Sequence, residues 1–105
     1  MIEIVLICAA GLSTSMLMDE MKEAALGYDE QIEINAIPEG KLGGLSYVPD
    51  LILLGPQISY RLNDIKSKYE PKGCKVDVVS YADYGMMNGK AVLEKGIKTI
   101  NKEGK

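Results

Sequence analysis

Two stretches of the chain are apolar without a break, Ile4-Val5-Leu6-Ile7 and Leu51-Ile52-Leu53-Leu54. Short continuous apolar runs predict strands covered on both faces. Two other stretches alternate: Gln31-Ile32-Glu33-Ile34-Asn35-Ala36-Ile37 strictly and Lys75-Val76-Asp77-Val78-Val79 in part. Alternation predicts strands with one face in solvent, and Pro38 ends the first of them. Between the strands the spacing turns helical. Leu17, Met21, Ala24 or Ala25, and Tyr28 share one side, with Asp19, Glu20, Lys22 and Glu23 on the other, and Gly27 is a stop signal. A second helix follows Gly55-Pro56-Gln57, with Ile58, Leu62, Ile65 and Tyr69 on one face. Pro56 suits its first position, and Glu70-Pro71-Lys72-Gly73 ends it. A third helix runs from Ala91 to Ile100, with Leu93, Ile97 and Ile100 inward. Glu39 to Tyr47 reads as a mobile glycine-rich loop with at most a short helix, and Ser80 to Gly89 as a turn-rich segment.

Strands alternating with helices predict an α/β fold, a three-layer α/β/α sandwich on a four-stranded parallel sheet. The two apolar strands belong in the centre and the two alternating strands at the edges. With right-handed crossovers this arrangement gives the order 2-1-3-4. The winding direction then reverses between strands one and three. Such sheets bind ligands at that switch point, beyond the carboxyl ends of the strands. Cys8 and the turn Gly55-Pro56-Gln57 meet there.

A length of 105 residues fits one domain, residues 1–105, with a modest core. The net charge is −3 and the lysines are dispersed, which argues against a nucleic-acid surface. The chain has no histidine, so a Ser-His or Cys-His pair within it and a histidine metal site are excluded. Cys8 and Cys74 are too few for a disulfide framework and lack metal-ligand spacing, which fits a reducing compartment. Glu3 stands where a signal peptide carries basic residues, and the run from Ile4 to Leu12 is too short for direct membrane insertion.

The chemistry concentrates at Cys8-Ala9-Ala10-Gly11-Leu12-Ser13-Thr14-Ser15. A cysteine that leads into a helix feels the positive end of the helix dipole and unpaired N–H groups. Both favour the nucleophilic thiolate. The same groups bind phosphate. Ala9, Ala10 and Gly11 let the backbone approach closely, and Ser13, Thr14 and Ser15 add hydroxyl donors or cap the helix. No lysine or arginine precedes Lys22, so the cradle is neutral and lacks the Gly-Lys-Ser/Thr of a P-loop. The loop resembles the C-x5-R-S/T loop of low-molecular-weight tyrosine phosphatases, as does the fold, with Cys8 and Ser15 matching. Thr14 stands at the arginine position, so the bidentate clamp of a hydrolase is missing.

Over nearly its whole length the chain resembles the IIB component of the phosphoenolpyruvate-dependent sugar phosphotransferase system, lactose/cellobiose (chitobiose) class. The matching residues are Cys8 through Ser15, Leu53-Leu54-Gly55-Pro56-Gln57-Ile58, and the segment from Tyr84-Gly85 to Asn88-Gly89. The resemblance implies a monomeric cytoplasmic phosphocarrier, peripheral to a membrane permease, that needs no cofactor or metal. Cys8 would take a phosphoryl group from a phosphohistidine of the IIA protein. It would hand the group to a sugar, a β-linked disaccharide such as cellobiose, lactose or chitobiose, bound by the membrane IIC partner. The backbone of residues Ala9 to Ser15 would hold the phosphoryl oxygens. Gln57 either donates to that loop or caps its own helix.

Other residues carry plainer expectations. Cys74, at the start of the fourth strand, reads as a structural or surface thiol, and Tyr60 as core. Met16, Met18 and Met21 read as core filler. Asp83 lies near the place of a phosphatase general acid. The segments Gly40 to Gly44 and Tyr81 to Met87 are candidate docking sites. Two rival readings are a flavodoxin-like module binding flavin mononucleotide and a phosphatase-like hydrolase.

Overall fold

Strand β1 (Ile2–Cys8) lies at the centre of a parallel sheet in a computed structural model of the chain. The structure describes residues 1–8 and 12–101; for Cys8 and residues 12–15 only the backbone path is described. β1 pairs with β2 (Ile32–Pro38) on one side and β3 (Leu51–Leu54) on the other, and β4 (Lys75–Val78) lies outside β3. The order is β2-β1-β3-β4, all parallel, as the apolar and alternating patterns predict. Ile4 to Ile7 and Leu51 to Leu54 are all buried. On β2 only Ile34 is fully buried, while Glu33 and Asn35 face solvent.

The central strands supply both faces of the core through their period of two. Ile4 and Leu6 of β1, with Leu51 and Leu53 of β3, pack against Leu17, Met21, Val92 and Leu93. These last four belong to α1 (Leu12–Ala25) and α4 (Gly89–Asn101). On the other face Val5, Ile7, Ile52 and Leu54 pack against Leu42, Ile58 and Ile65. Ile65 belongs to α2 (Leu62–Tyr69).

Several expected boundaries move, each for a local reason. α1 begins at Leu12 rather than within Ser13-Thr14-Ser15, which places those three residues in its first turn. It ends at Ala25, where Leu26, Gly27 and Tyr28 close i→i+3 turns on Glu23, Ala24 and Ala25. Tyr28 therefore lies outside the helix and is part-exposed. Residues Glu39–Gly44 form a 3₁₀ helix rather than a loop, and burial of Leu42 under the sheet pins it. The segment after Gly55 is 3₁₀ over Pro56–Arg61 and becomes α-helical only from Leu62. The departure from helical geometry is at Ile58 (φ −119°, ψ 28°), whose side chain turns into the core.

β4 stops at Val78, and buried Val79 follows outside the ladder. The turn-rich stretch contains a short helix, α3 (Tyr81–Gly85), where the Ser80 hydroxyl accepts a hydrogen bond from the Asp83 N–H at 3.1 Å. α4 starts at Gly89, two residues earlier than its apolar spacing predicts, because Asn88 caps it by accepting from the Ala91 N–H at 3.2 Å. Side-chain caps of this kind satisfy the open N–H groups at a helix start.

Candidate functional site

Cys8 is the last residue of β1 and stands in register with Pro38, the last residue of β2. α1 starts at Leu12, so four steps of chain carry it from the strand end to a helix N-terminus. On the other side of β1, the Gly55 N–H donates to the Ile7 carbonyl at 2.8 Å, which brings the Gly55-Pro56-Gln57 turn against the end of β1. Gln57 is exposed in the 3₁₀ turn whose N-cap is Gly55. The structure thus brings the backbone of Cys8, the first turn of α1 and Gln57 to one end of the sheet. The candidate residues Ala9, Ala10 and Gly11, and the side chains of Cys8, Leu12, Ser13, Thr14 and Ser15, lie outside what is described.

The helix start matters chemically. The first-turn N–H groups of an α-helix have no intrahelical partner and carry the positive end of the dipole. A helix that begins at Leu12 places its open N–H groups within residues 12–15, closer to Cys8 than a helix capped at Ser13 to Ser15 would.

Across the carboxyl end of β1, Arg61 ties two segments together. Its Nη1 donates to Glu39 Oε2, and its Nη2 donates to Asp64 Oδ2 at 3.2 Å. Glu39 follows the last residue of β2, and Arg61 ends the 3₁₀ turn that follows β3. Arg61 is the chain's single arginine. The hydrogen bond to Glu39, then that to Asp64, raises its pKa further above an already high range. Lys68 also reaches Asp64, at 3.8 Å. Nothing local in the sequence joins residues 39 and 61; a lone arginine is the only signal, and it names no partner.

Four large apolar side chains are exposed along the same end of the sheet. Met16 follows β1, Tyr60 follows β3, and Tyr81 and Met86 follow β4. Two of them overturn expectations. Met16 is 61% exposed and Tyr60 is 75% exposed, so neither is core. Met21 is fully buried, and Met18 packs partly against the core. Asp83 sits in α3 beside a cavity of about 10 Å³ that Asp77 and Lys95 also line. A wider groove of about 610 Å³ lies elsewhere, along edge strand β2 and the C-terminal end of α1, with Leu26, Tyr28 and Glu33 in its walls.

Cys74 precedes β4, at the amino end of the sheet and opposite the Cys8 end. It is 1% exposed, which excludes the surface alternative and leaves the structural one. Burial, with the nearby Asp50 charge, pushes its thiol up to about 12. Ionisation is then suppressed in the folded chain but not in the unfolded one. Above pH about 9 the unfolded chain binds fewer protons than the folded chain, so stability falls as pH rises from there towards 12. Each pH unit across that window removes up to about 1.4 kcal/mol. Cys74→Ala is expected to flatten this part of the curve, measured as the difference between the two proteins' urea-unfolding free energies at pH 8.5 and 10.5. Identical slopes would show that the thiol does not contribute.

Among the described residues no cluster of three metal-ligating side chains occurs, and no helix is long and apolar enough to cross a membrane.

Comparison with known proteins agrees with this geometry. The family described as "PTS system, Lactose/Cellobiose specific IIB subunit" matches residues 3–95. The chain is 37% identical over 103 residues to a cellobiose-specific EIIB component of Lactococcus lactis subsp. lactis (strain IL1403), covering 93% of this chain and 95% of that one. It is equally similar, 37% over 103 residues with the same coverage, to a galactose-specific EIIB component of Lactococcus lactis subsp. cremoris (strain MG1363). The solution structure of a cellobiose-specific phosphotransferase IIB component from Borrelia burgdorferi superposes with a TM-score of 0.76 at 33% identity, covering 97% of this chain and 94% of that one. A match over most of the chain, together with relatives at 37% identity along nearly the whole length, shows that the chain belongs to the lactose/cellobiose-specific IIB subunit family of the phosphotransferase system (PTS).

Proposed function

We propose that residues 1–105 form one phosphoryl-carrier domain in which Cys8 holds the phosphoryl group. The observation that carries this reading is the position of Cys8: it ends a central strand just before a helix N-terminus, at the point where the sheet reverses its winding. The Cys8 thiolate attacks the phosphorus of a phosphohistidine on the IIA partner. The S–P bond forms as the P–N bond breaks, and the departing imidazole takes up a proton. In the second transfer a sugar hydroxyl attacks phosphorus, the S–P bond breaks, and the thiolate is regenerated as the hydroxyl proton leaves. Backbone N–H groups of Ala9 to Ser15, the hydroxyls of Ser13, Thr14 and Ser15, and Gln57 hold the equatorial oxygens. Positioning and electrostatics supply most of the rate in such transfers.

The absence of histidine and the threonine at position 14 support a carrier over a hydrolase, since neither a water-activating imidazole nor an arginine clamp is available. The carrier works in the cytoplasm, as a monomer peripheral to the membrane IIC permease. Exposed Met16, Tyr60, Tyr81 and Met86, each in a segment that follows the carboxyl end of a strand, are where IIA and IIC would dock in turn, because exposed apolar side chains favour partner contact. The sugar is a β-linked disaccharide. Two relatives of equal identity are named for cellobiose and for galactose, which supports placing sugar choice in the membrane partner.

The deciding experiment incubates the protein with a phosphorylated IIA partner and maps the product by peptide mass spectrometry. One phosphoryl group on the peptide that contains Cys8 is expected. A wild-type chain that takes up none, or takes it up on another peptide, would overturn the reading.

A further inference from the structure

The site proposed above has to accept a dianionic group with no cation of its own in the loop. A carboxylate nevertheless follows the strand beside it. Glu39 is one residue beyond Pro38, which is registered beside Cys8 on the neighbouring strand, and adjacent strands lie about 5 Å apart. The Glu39 carboxylate does not turn away to solvent, since its side chain is only 24% exposed. It reaches the guanidinium of Arg61, which comes from the segment after β3, on the far side of β1. The pair therefore spans the end of the strand that Cys8 terminates. Asp64 is the second acid on this flank and is shared by Arg61 and Lys68, so the flank carries two acids and two bases. On the β4 flank Asp77 and Asp83 are accompanied by Lys95.

Resting on the reading of Cys8 as the phosphoryl-bearing residue, we propose that Arg61 is a positioning residue that cancels the Glu39 charge, which would otherwise repel both the thiolate and the incoming phosphoryl group. It acts through Glu39 and touches no reacting atom. Pairing also ties the carboxylate to the segment that follows β3. A bidentate arginine fork suits this task better than lysine because it holds Glu39 and Asp64 at once. The effect on Cys8 is a charge effect near a protein surface, so it is graded rather than all-or-none.

The test uses opposite signs. The rate of Cys8 alkylation by neutral iodoacetamide at fixed neutral pH is followed by peptide mass spectrometry in the full chain. Arg61→Met leaves Glu39 uncompensated and is expected to slow alkylation about threefold. Glu39→Gln removes the carboxylate and keeps the cation, and is expected to speed it by a similar factor of about three. The double variant is expected to return close to the wild-type rate. Phosphoryl uptake from a phosphorylated IIA partner is expected to follow the same order in kcat. A clamp that merely held the fold together would slow both single variants, and would leave the double variant no faster than Arg61→Met; either result overturns the proposal. Should Arg61→Met fail to fold, Glu39→Gln decides alone, and no acceleration overturns it. Variants that alkylate in the expected order beside a wild-type chain that takes up no phosphoryl group would count against the carrier reading and leave the charge relation standing.

Discussion

Cys8→Ser is expected to abolish phosphoryl uptake, with a loss on the order of 10³-fold or more in rate. The substitution keeps the size of the side chain and changes its acidity. A cysteine thiol ionises far more readily than a serine hydroxyl, and no histidine in the chain can remove the serine proton. Serine is close to cysteine in size, so the variant is expected to melt near the wild type. Cys74→Ser is the control. Cys74 is buried at the opposite end of the sheet, and its thiol is held neutral. Cys74→Ser is expected to lower stability, because a hydroxyl replaces sulfur in an apolar site, and to keep phosphoryl uptake. Intact mass after incubation with a phosphorylated IIA partner separates the two. Uptake by Cys8→Ser at the wild-type rate would remove Cys8 from the mechanism.

The second large effect concerns stability. Gly89→Ala is expected to destabilise the fold by about 1–3 kcal/mol, a fall of about 5–15 °C in Tm. Gly89 starts α4 where it crosses α1. A Cβ there would lie 2.5 Å from the Met21 backbone nitrogen and 2.6 Å from the Glu20 carbonyl carbon. Those are main-chain atoms inside a helix, so relief requires α1 and α4 to move apart, and Met21, Val92 and Leu93 lose their packing with them. Gly96 in the same helix provides the contrast. A Cβ at Gly96 would meet the tip of Leu51, at 2.7 Å, which is the far end of a side chain. Alanine is also the better helix former by about 1 kcal/mol, which offsets the strain. Gly96→Ala is therefore expected to change stability by less than about 1 kcal/mol, measured by urea unfolding beside Gly89→Ala. Equal losses in the two variants would show that the α1–α4 approach is not the constraint.

α1 and α4 also flank the proposed site indirectly. α1 starts beside Cys8, and its angle to the sheet is set where Gly89 lets α4 approach. A Gly89→Ala chain that still folds is expected to show slower Cys8 alkylation than wild type, through the displaced helix start.

The sheet was legible before any coordinates, and the reason is physical. Whether a strand is covered on both faces or on one is written in its own residues, as in Leu51 to Leu54 against Gln31 to Ile37. Burial class fixes place in the sheet, and handedness of the crossovers then leaves one order. The position of Cys8 at a central strand's carboxyl end follows from the same argument. Short-range periodicity failed where a residue's surroundings come from distant chain. Tyr60 lies two residues after inward-facing Ile58, a step that carries its ring to the far side in an α or a 3₁₀ turn, and no distant segment covers it there. Met16 lies one residue before buried Leu17, and its exposure depends on which neighbours cover α1.

By itself, then, the sequence determined the strand order, the switch point and the cysteine that occupies it, because each rests on local pattern and a general rule of chain handedness. Tertiary structure alone decided that Glu39 meets Arg61 across the end of β1, that Gly89 admits α4 against α1, that Cys74 is buried, and that Met16 and Tyr60 are exposed. These are meetings between segments far apart in the chain. No periodicity records them, since they arise only when the sheet brings the ends of separate strands to one edge.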